Sequence, residues 1–174
     1  MNENSEEKTQ TAESDRCART AEPHDQTQAA GRESSSVPDP RVRTARPTDA
    51  EQIQSLQTHL RQPNPDLLEY ALAIGSVRVS VADDRPVGYL LPVDAADQPG
   101  VYLAELAVDP AFRREGRARG LLASVLAETT GPATLQAHPD NVGAIELYEE
   151  LGFTAVNRRP DAYDDCDAIV FRRV

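Results

Sequence analysis

The feature that most constrains this chain is an apolar segment that runs through a short turn into an amphipathic helix. Residues 101–108 are apolar except for Glu105, so they predict a buried, central strand. After a proline-containing turn, a helix begins near Gly116, and its apolar residues recur at i, i+3, i+4, i+7 and i+8: Ala118, Leu121, Leu122, Val125 and Leu126. This spacing predicts a helix that packs one face on a sheet.

The start of this helix has the composition of an anion-binding site. Gly116, Ala118 and Gly120 are small, and the backbone N–H groups at a helix start attract negative charge. Four arginines lie within the same seven residues: Arg113, Arg114, Arg117 and Arg119. The alternative is a glycine-rich turn with solvated arginines, and this segment alone leaves the two readings equal. No Gly-Lys-Ser/Thr follows, so the segment is not a Walker loop.

Composition divides the chain into a tail and one domain. Residues 1–40 contain no Leu, Ile, Phe, Tyr or Trp, which predicts a disordered acidic tail. Residues 41–174 have the size of a single domain. Their periodicity predicts the order β, α, α, β, β, β, α, β, α, β, β. The expected fold is therefore α/β, with a mixed sheet of about seven strands and helices on both faces.

Charge and the sequence patterns narrow the partners and the compartment. The net charge is −11, and the acidic domain argues against nucleic acid. There is no apolar leader and no apolar run of about 18 residues, so we expect neither secretion nor a membrane span. Cys17 and Cys166 form no CxxC pattern and the three histidines are scattered, so we expect a reducing cytoplasm, no disulfide and no metal. The single lysine among many acidic residues resembles proteins of salt-loving cells.

A second pattern identifies the anion. Residues 141–153 contain Asn141, Ala144, Leu147, Tyr148, Leu151, Gly152 and Phe153. Together with Arg113-x-x-Gly116-x-Ala118, this resembles the GCN5-related N-acetyltransferase (GNAT) superfamily over roughly residues 42–172. Residues 158–170 resemble the ending of the RimI-like enzymes, which acetylate protein N-termini. The resemblance implies the GNAT fold, acetyl-CoA as co-substrate and an amine as acceptor, in a monomer or a homodimer.

The resemblance also implies roles for individual residues. The backbone of Leu106, Ala107 and Val108 would pair with the pantetheine arm. The CoA pyrophosphate would lie against Arg113 and the turn that follows it: Arg114, Glu115, Gly116, Arg117, Ala118 and Arg119. Asn141 would contact the cofactor arm. Arg117 stands where the family usually has Ile, Leu or Val, so we expect greater exposure of the loop there.

The catalytic groups are less completely specified. Tyr148 is expected to protonate the leaving thiolate, with a core aromatic as the alternative reading. RimI-like enzymes carry a glutamate where this chain has Gln136, and a neutral amide does not accept a proton. Glu105 is the expected substitute, while His138 and a water relay stay open. No Cys or Ser with a neighbouring base is apparent, so direct attack in a ternary complex is expected.

Three functions are compatible with these sequence features. The favoured one is acetylation of a protein N-terminal amine. An α-amine with a pKa of about 8 is far more often neutral at pH 7 than a lysine, so it tolerates a weaker base. The alternatives are a GNAT acting on a small-molecule amine, and a non-catalytic acyl-CoA-binding regulatory domain.

Overall fold

The computed structural model describes residues 39–94 and 99–174. Almost all of the predicted tail at residues 1–40 lies outside these ranges. The described part contains a seven-stranded sheet in the order β1-β2-β3-β4-β5-β7-β6. The strands are β1 Val42–Thr44, β2 Arg78–Ala82, β3 Arg85–Asp94, β4 Val101–Val108, β5 Ala133–Ala137, β6 Thr154–Arg159 and β7 Ala168–Arg173. The predicted mixed sheet of about seven strands is confirmed.

Four helices follow the predicted order: α1 Ala50–Gln57, α2 Pro65–Ala73, α3 Arg117–Glu128 and α4 Val142–Glu150. Asn64 caps the start of α2, because its side chain accepts a hydrogen bond from the N–H of Leu67 at 3.1 Å. Short 3-10 turns occupy Pro47–Asp49 and Pro110–Phe112. The first turn leads directly into α1, with Asp49 as the residue before the helix.

Two apolar cores lie on opposite sides of the sheet. One core contains Leu121, Leu122 and Val125 of α3, together with Phe153 and Phe171. The other is built from α1, α2 and inner strand residues: Ile53, Leu56, Leu68, Ala71, Val77, Val79, Tyr89, Leu91 and Ala107. Each fully buried Leu, Val or Ile stabilises the fold by about 1.5–3 kcal/mol. The predicted placement of helices on both faces is therefore confirmed.

The sheet opens between its two parallel strands. β4 and β5 pair only at Val101, Tyr102 and Leu103, opposite residues 133–135. β3 follows β4 along its whole length on the other side, with a register shift between Leu91 and Pro92. Proline has no N–H to donate to the ladder, so a bulge fits at this point. Beyond it, β4 turns from β5 and exposes a backbone edge to the space between the two strands.

Candidate active site

A cleft of about 830 Å³ lies where β4 and β5 separate. One wall is the later half of β4, and the opposite wall is β5 with the start of α4. The start of α3 lines one region of the cleft, and residues 59–62, between α1 and α2, line another. The two sequence patterns, distant in the chain, therefore meet at one site.

The open edge of β4 presents the predicted pantetheine-binding backbone. Leu106, Ala107 and Val108 line the cleft. Their ladder partners are on β3, where Leu106 is opposite Leu90 and Ala107 is opposite Tyr89. The side of β4 toward β5 has no ladder partner in the described part of the chain beyond Leu103. An extended ligand can therefore pair with this edge as an added strand.

The start of α3 forms a backbone cradle. Arg114 and Gly116 both adopt left-handed conformations, with φ of 65° and 77°. These two conformations turn the chain sharply from the 3-10 turn into α3. The N–H groups of the first helical turn have no partners inside the helix. Because Arg117, Ala118 and Arg119 line the cleft, these N–H groups are placed to bind an anion there.

Three arginine side chains remain on the cleft side of this cradle. Arg113 donates from Nε to the Val108 carbonyl at 3.1 Å. The Arg114 guanidinium reaches toward α4, where a Cβ added to Gly143 would lie 3.9 Å from Nη1. Arg119 forms an ion pair with Glu150 of α4. These contacts place the positive charge of arginine side chains between α3 and α4.

Arg117 is the exception, and the expectation of a more exposed loop there is wrong. The residue is only 7% exposed, and Nη1 donates to Ser80 Oγ at 3.2 Å and to the Val81 carbonyl at 3.0 Å. Nε donates to Glu115 at 2.9 Å, and the guanidinium lies over the Phe112 ring. The side chain thus joins the loop to β2, which leaves its backbone for a ligand. Glu115, in turn, is not among the residues that line the cleft.

Tyr148 and Asn141 reach the cleft from α4 and its N-terminus. Tyr148 is 7% exposed and packs edge-on against Phe153. Burial, and to a smaller extent the nearby Tyr163, raise the pKa of Tyr148 to about 12. Residues 39–94 and 99–174 provide no hydrogen-bond partner for its hydroxyl, and Tyr148 lines the cleft. Asn141 is the residue before α4, lines the cleft, and does not cap the helix with its side chain.

Glu105 is buried in the cleft wall, with 5% exposure, and accepts three donors. The Gln57 amide lies 3.1 and 3.0 Å from its two oxygens. The Asn64 N–H donates at 2.7 Å, and the Tyr89 hydroxyl also donates at 2.7 Å. Burial, followed by the hydrogen bond to Glu105, raises the pKa of Tyr89 well above its usual range. Glu105 therefore anchors α1 and the start of α2 to the sheet, besides facing the cleft.

Neither the residue at the family's usual base position, Gln136, nor the alternative base, His138, is as well placed as Glu105 to accept a proton. Gln136 lines the cleft, and its side-chain oxygen accepts a hydrogen bond from Arg159 at 3.3 Å. The His138 ring accepts the Asp140 N–H at Nδ1, at 3.0 Å, so the neutral ring carries its proton on Nε2. Nε2 therefore has no lone pair with which to accept a proton.

The structure brings together three side chains that the sequence did not associate. The Cys166 sulfur lies 3.2 Å from His138 Nε2, and the carboxylate oxygens of Asp165 lie 3.3 Å from the same atom. The expectation that no Cys has a neighbouring base is therefore wrong, because Cys166 lies beside His138. His138 and Cys166 are 28 positions apart in the chain, and no local sequence pattern signals the contact.

The fold agrees with comparisons to known proteins. The model of the acetyltransferase (GNAT) family matches residues 46–153, so the chain belongs to that family. A solved structure of Arabidopsis thaliana NAA60 in complex with acetyl-CoA superposes with a TM-score of 0.66, at 19% identity, over 76% of this chain and 96% of that one. At this identity the similarity concerns the fold.

Two curated relatives differ in the acceptor that their names specify. The ribosomal protein bS18-alanine N-acetyltransferase of Salmonella typhimurium is 36% identical over 97 residues, 51% of this chain and 64% of that protein. The mycothiol acetyltransferase of Clavibacter michiganensis is 44% identical over 75 residues, 42% of this chain and 24% of that protein. The chain thus matches less than two thirds of either relative. Among the described residues, no helix is long and apolar enough to cross a membrane.

Proposed function

We propose that this protein transfers an acetyl group from acetyl-CoA to a primary amine, by direct attack within a ternary complex. The observation that carries the proposal is the meeting of three features in one cleft. These are the open edge of β4, the backbone cradle at Gly116, and the hydroxyl of Tyr148, which has no hydrogen-bond partner among residues 39–94 and 99–174. An extended thioester with a pyrophosphate at one end matches this arrangement.

Leu106, Ala107 and Val108 would pair with the pantetheine arm, and Asn141 would contact it from the opposite side. The turn from Arg113 to Arg119 would hold the pyrophosphate through backbone N–H groups, with arginine side chains adding charge. A β4 N–H that faces the thioester carbonyl would stabilise the oxyanion. No metal is required for any of these roles.

In the chemical step, the amine nitrogen bonds to the thioester carbon and the carbon–sulfur bond breaks. Tyr148 keeps its proton at neutral pH, because burial raises its pKa to about 12. A thiol has a pKa of about 8.5, so full transfer from Tyr148 to the thiolate runs uphill on its own. The hydroxyl therefore donates a hydrogen bond to the sulfur and passes its proton to it only as the acceptor nitrogen releases a proton to Glu105. That second proton then returns through water from Glu105 to Tyr148, so CoA leaves as the thiol and both side chains regain their starting state.

Glu105 is proposed to accept that proton, directly or through a water molecule. It is the buried carboxylate among the described residues that line the cleft. Its three donors satisfy both oxygens, so protonation requires one hydrogen bond to be given up. This favours an acceptor that is already neutral for part of the time, as an α-amine is.

Tyr148→Phe tests the enzyme assignment. We expect turnover to fall by about 100-fold or more, the usual contribution of a general acid, while CoA binding measured by calorimetry is retained. Tyr102→Phe is the matched control, because Tyr102 lies on β4 but does not line the cleft. Unchanged turnover in Tyr148→Phe would refute the assigned role.

The favoured acceptor is a protein N-terminal amine, supported by the relative that acetylates ribosomal protein bS18. Thiol release would be measured in molar KCl with lysine-free peptides that have free N-termini. A matched pool would carry blocked N-termini and internal lysines. Release with the first pool alone is the expected result, and release with the second pool alone would contradict it.

A small-molecule amine is the second candidate, supported by the 44% identity to a mycothiol acetyltransferase. The third candidate is a non-catalytic acyl-CoA-binding domain. It is supported by Gln136, which accepts a hydrogen bond from Arg159 and, as a neutral amide, does not serve as a base. Turnover with small amines but neither peptide pool would favour the second candidate. CoA binding without turnover on any amine would favour the third.

A further inference from the structure

A cluster of three electron-pair donors lies at the rim of the cleft: His138, Asp165 and Cys166. His138 Nε2 is 3.2 Å from the Cys166 sulfur and 3.3 Å from each Asp165 oxygen. One ligand atom from each residue can be chosen so that all three lie within 4.8 Å of one another. The proposed acetyl transfer uses none of the three side chains.

Two segments of the chain hold this cluster in place. His138 directly follows β5, is 3% exposed, and packs edge-on against Tyr163 with ring centroids 4.8 Å apart. Asp165 and Cys166 lie in the loop between β6 and β7. The Tyr163 N–H donates to the Cys166 carbonyl at 3.0 Å and thereby closes that loop into a turn.

We propose that His138, Asp165 and Cys166 bind a divalent zinc-class cation. Imidazole nitrogen, thiolate sulfur and carboxylate oxygen are the usual ligands of zinc. With bonds of about 2.0–2.3 Å in a tetrahedral arrangement, ligand atoms lie roughly 3.5 Å apart. The distances of 3.2 and 3.3 Å from His138 Nε2 are close to this value. Thiolate and carboxylate together supply two negative charges.

A protein cation already lies against the cluster. Arg61 Nη1 is 3.1 Å from His138 Nε2 and 3.8 Å from Asp165. The Arg61 side chain is 59% exposed, so it can turn into solvent when a metal ion replaces it. Arg61 and His138 both line the cleft. The fourth coordination position would therefore face the cleft, where water or an acceptor group can reach it.

Metal binding requires one proton to leave and another to move. The Cys166 thiol releases its proton to solvent as the metal–sulfur bond forms. The His138 proton moves from Nε2 to Nδ1 through water, which frees Nε2 to bind the metal. Nδ1 then gives up the Asp140 N–H as a donor, and the Asp140 carboxylate, 3.9 Å away, accepts the new N–H. No group is oxidised or reduced.

The test uses the full chain with Cys17→Ser, so that Cys166 is its only thiol, reduced and freed of metal. Co²⁺ is the probe, because a thiolate ligand gives a charge-transfer band in the near ultraviolet and a tetrahedral site gives strong visible bands. We expect both sets of bands to saturate at one equivalent, and Zn²⁺ to remove them by competition. This readout does not depend on acetyl transfer, so failure of the metal proposal can be distinguished from failure of the proposed function.

Two variants in the Cys17→Ser background complete the design. Cys166→Ser should abolish the charge-transfer band. Asp165→Asn should weaken Co²⁺ binding by roughly 100-fold, because losing a charged ligand should cost at least as much as the roughly 10–100-fold measured for groups that only support a ligand. Unchanged far-ultraviolet circular dichroism would show that both variants are folded. Absence of the charge-transfer band in Cys17→Ser, or equal Co²⁺ affinity in all three proteins, would overturn the proposal.

Discussion

Replacing Glu105 with Gln and with Ala separates its proposed proton transfer from its structural role. The two changes differ in what they leave for the Gln57 amide, the Asn64 N–H and the Tyr89 hydroxyl. Alanine leaves all three donors without an acceptor in a site that is 5% exposed. Each unsatisfied buried donor costs about 1–3 kcal/mol. Because water can enter the vacated space from the cleft, we expect the lower limit, a loss of about 3 kcal/mol.

Glutamine preserves most of this network. Its side-chain oxygen can keep the hydrogen bond from Asn64, which is 2.7 Å long in the native protein. Its NH₂ group can donate to the Tyr89 oxygen, and the Gln57 amide can rotate to present its own oxygen. The charge-assisted part of these bonds is lost, which costs about 1 kcal/mol. Glu105→Gln should therefore fold with nearly native stability.

Stability would be measured by urea unfolding, and turnover by thiol release with a free N-terminal peptide. Both variants should lose about 100-fold or more in turnover near pH 7, because neither accepts the amine proton. Glu146→Gln is the matched control, since it removes an exposed carboxylate from the same cleft. Native turnover in Glu105→Gln between pH 6 and 9 would refute the base assignment. Equal stability of the Ala and Gln variants would refute the anchoring argument.

Three further predictions concern the cradle, its support and Tyr148. Gly116→Ala and Gly152→Ala each place Ala at positive φ, 77° and 85°, and each should lower the free energy of unfolding by about 1 kcal/mol in urea. Only Gly116→Ala should weaken CoA binding in calorimetry. Equal weakening in both variants would contradict the proposal that the cradle binds the pyrophosphate. Arg117→Met removes buried hydrogen bonds and should lower the free energy of unfolding by about 2–4 kcal/mol. Arg119→Met breaks an exposed ion pair and should lower it by under about 1 kcal/mol. Equal losses of stability would refute the structural role of the buried Arg117 side chain. Burial raises the pKa of Tyr148 to about 12 in the folded protein, against about 10 when unfolded, so the unfolded state loses the proton first and stability falls as pH rises from about 10 toward 12. Tyr148→Phe should therefore lose less stability than the native protein between about pH 9 and 11. An equal loss would contradict the raised pKa of Tyr148.

The sequence determined the elements of this fold because their signals are local. The apolar run that forms β4 and the periodicity of α3 depend on neighbours within a few residues. The structure gives β4 the predicted bounds, Val101–Val108. The two motifs also predicted the fold class and the segments that line the cleft. The sequence also marked Gly116 as a small residue at the start of α3, but the left-handed conformations of Arg114 and Gly116 came only from the structure.

Only the tertiary structure decided where several side chains point and what they contact. Arg117 was expected to leave the loop more exposed, but β2 supplies acceptors that bury it. The donors to Glu105 come from positions 57, 64 and 89, and no sequence pattern links them. The approach of Cys166 to His138 likewise depends on how the loop between β6 and β7 folds over the end of β5. Such contacts join residues that are distant in the chain, so they are fixed by packing of the whole domain and not by local periodicity.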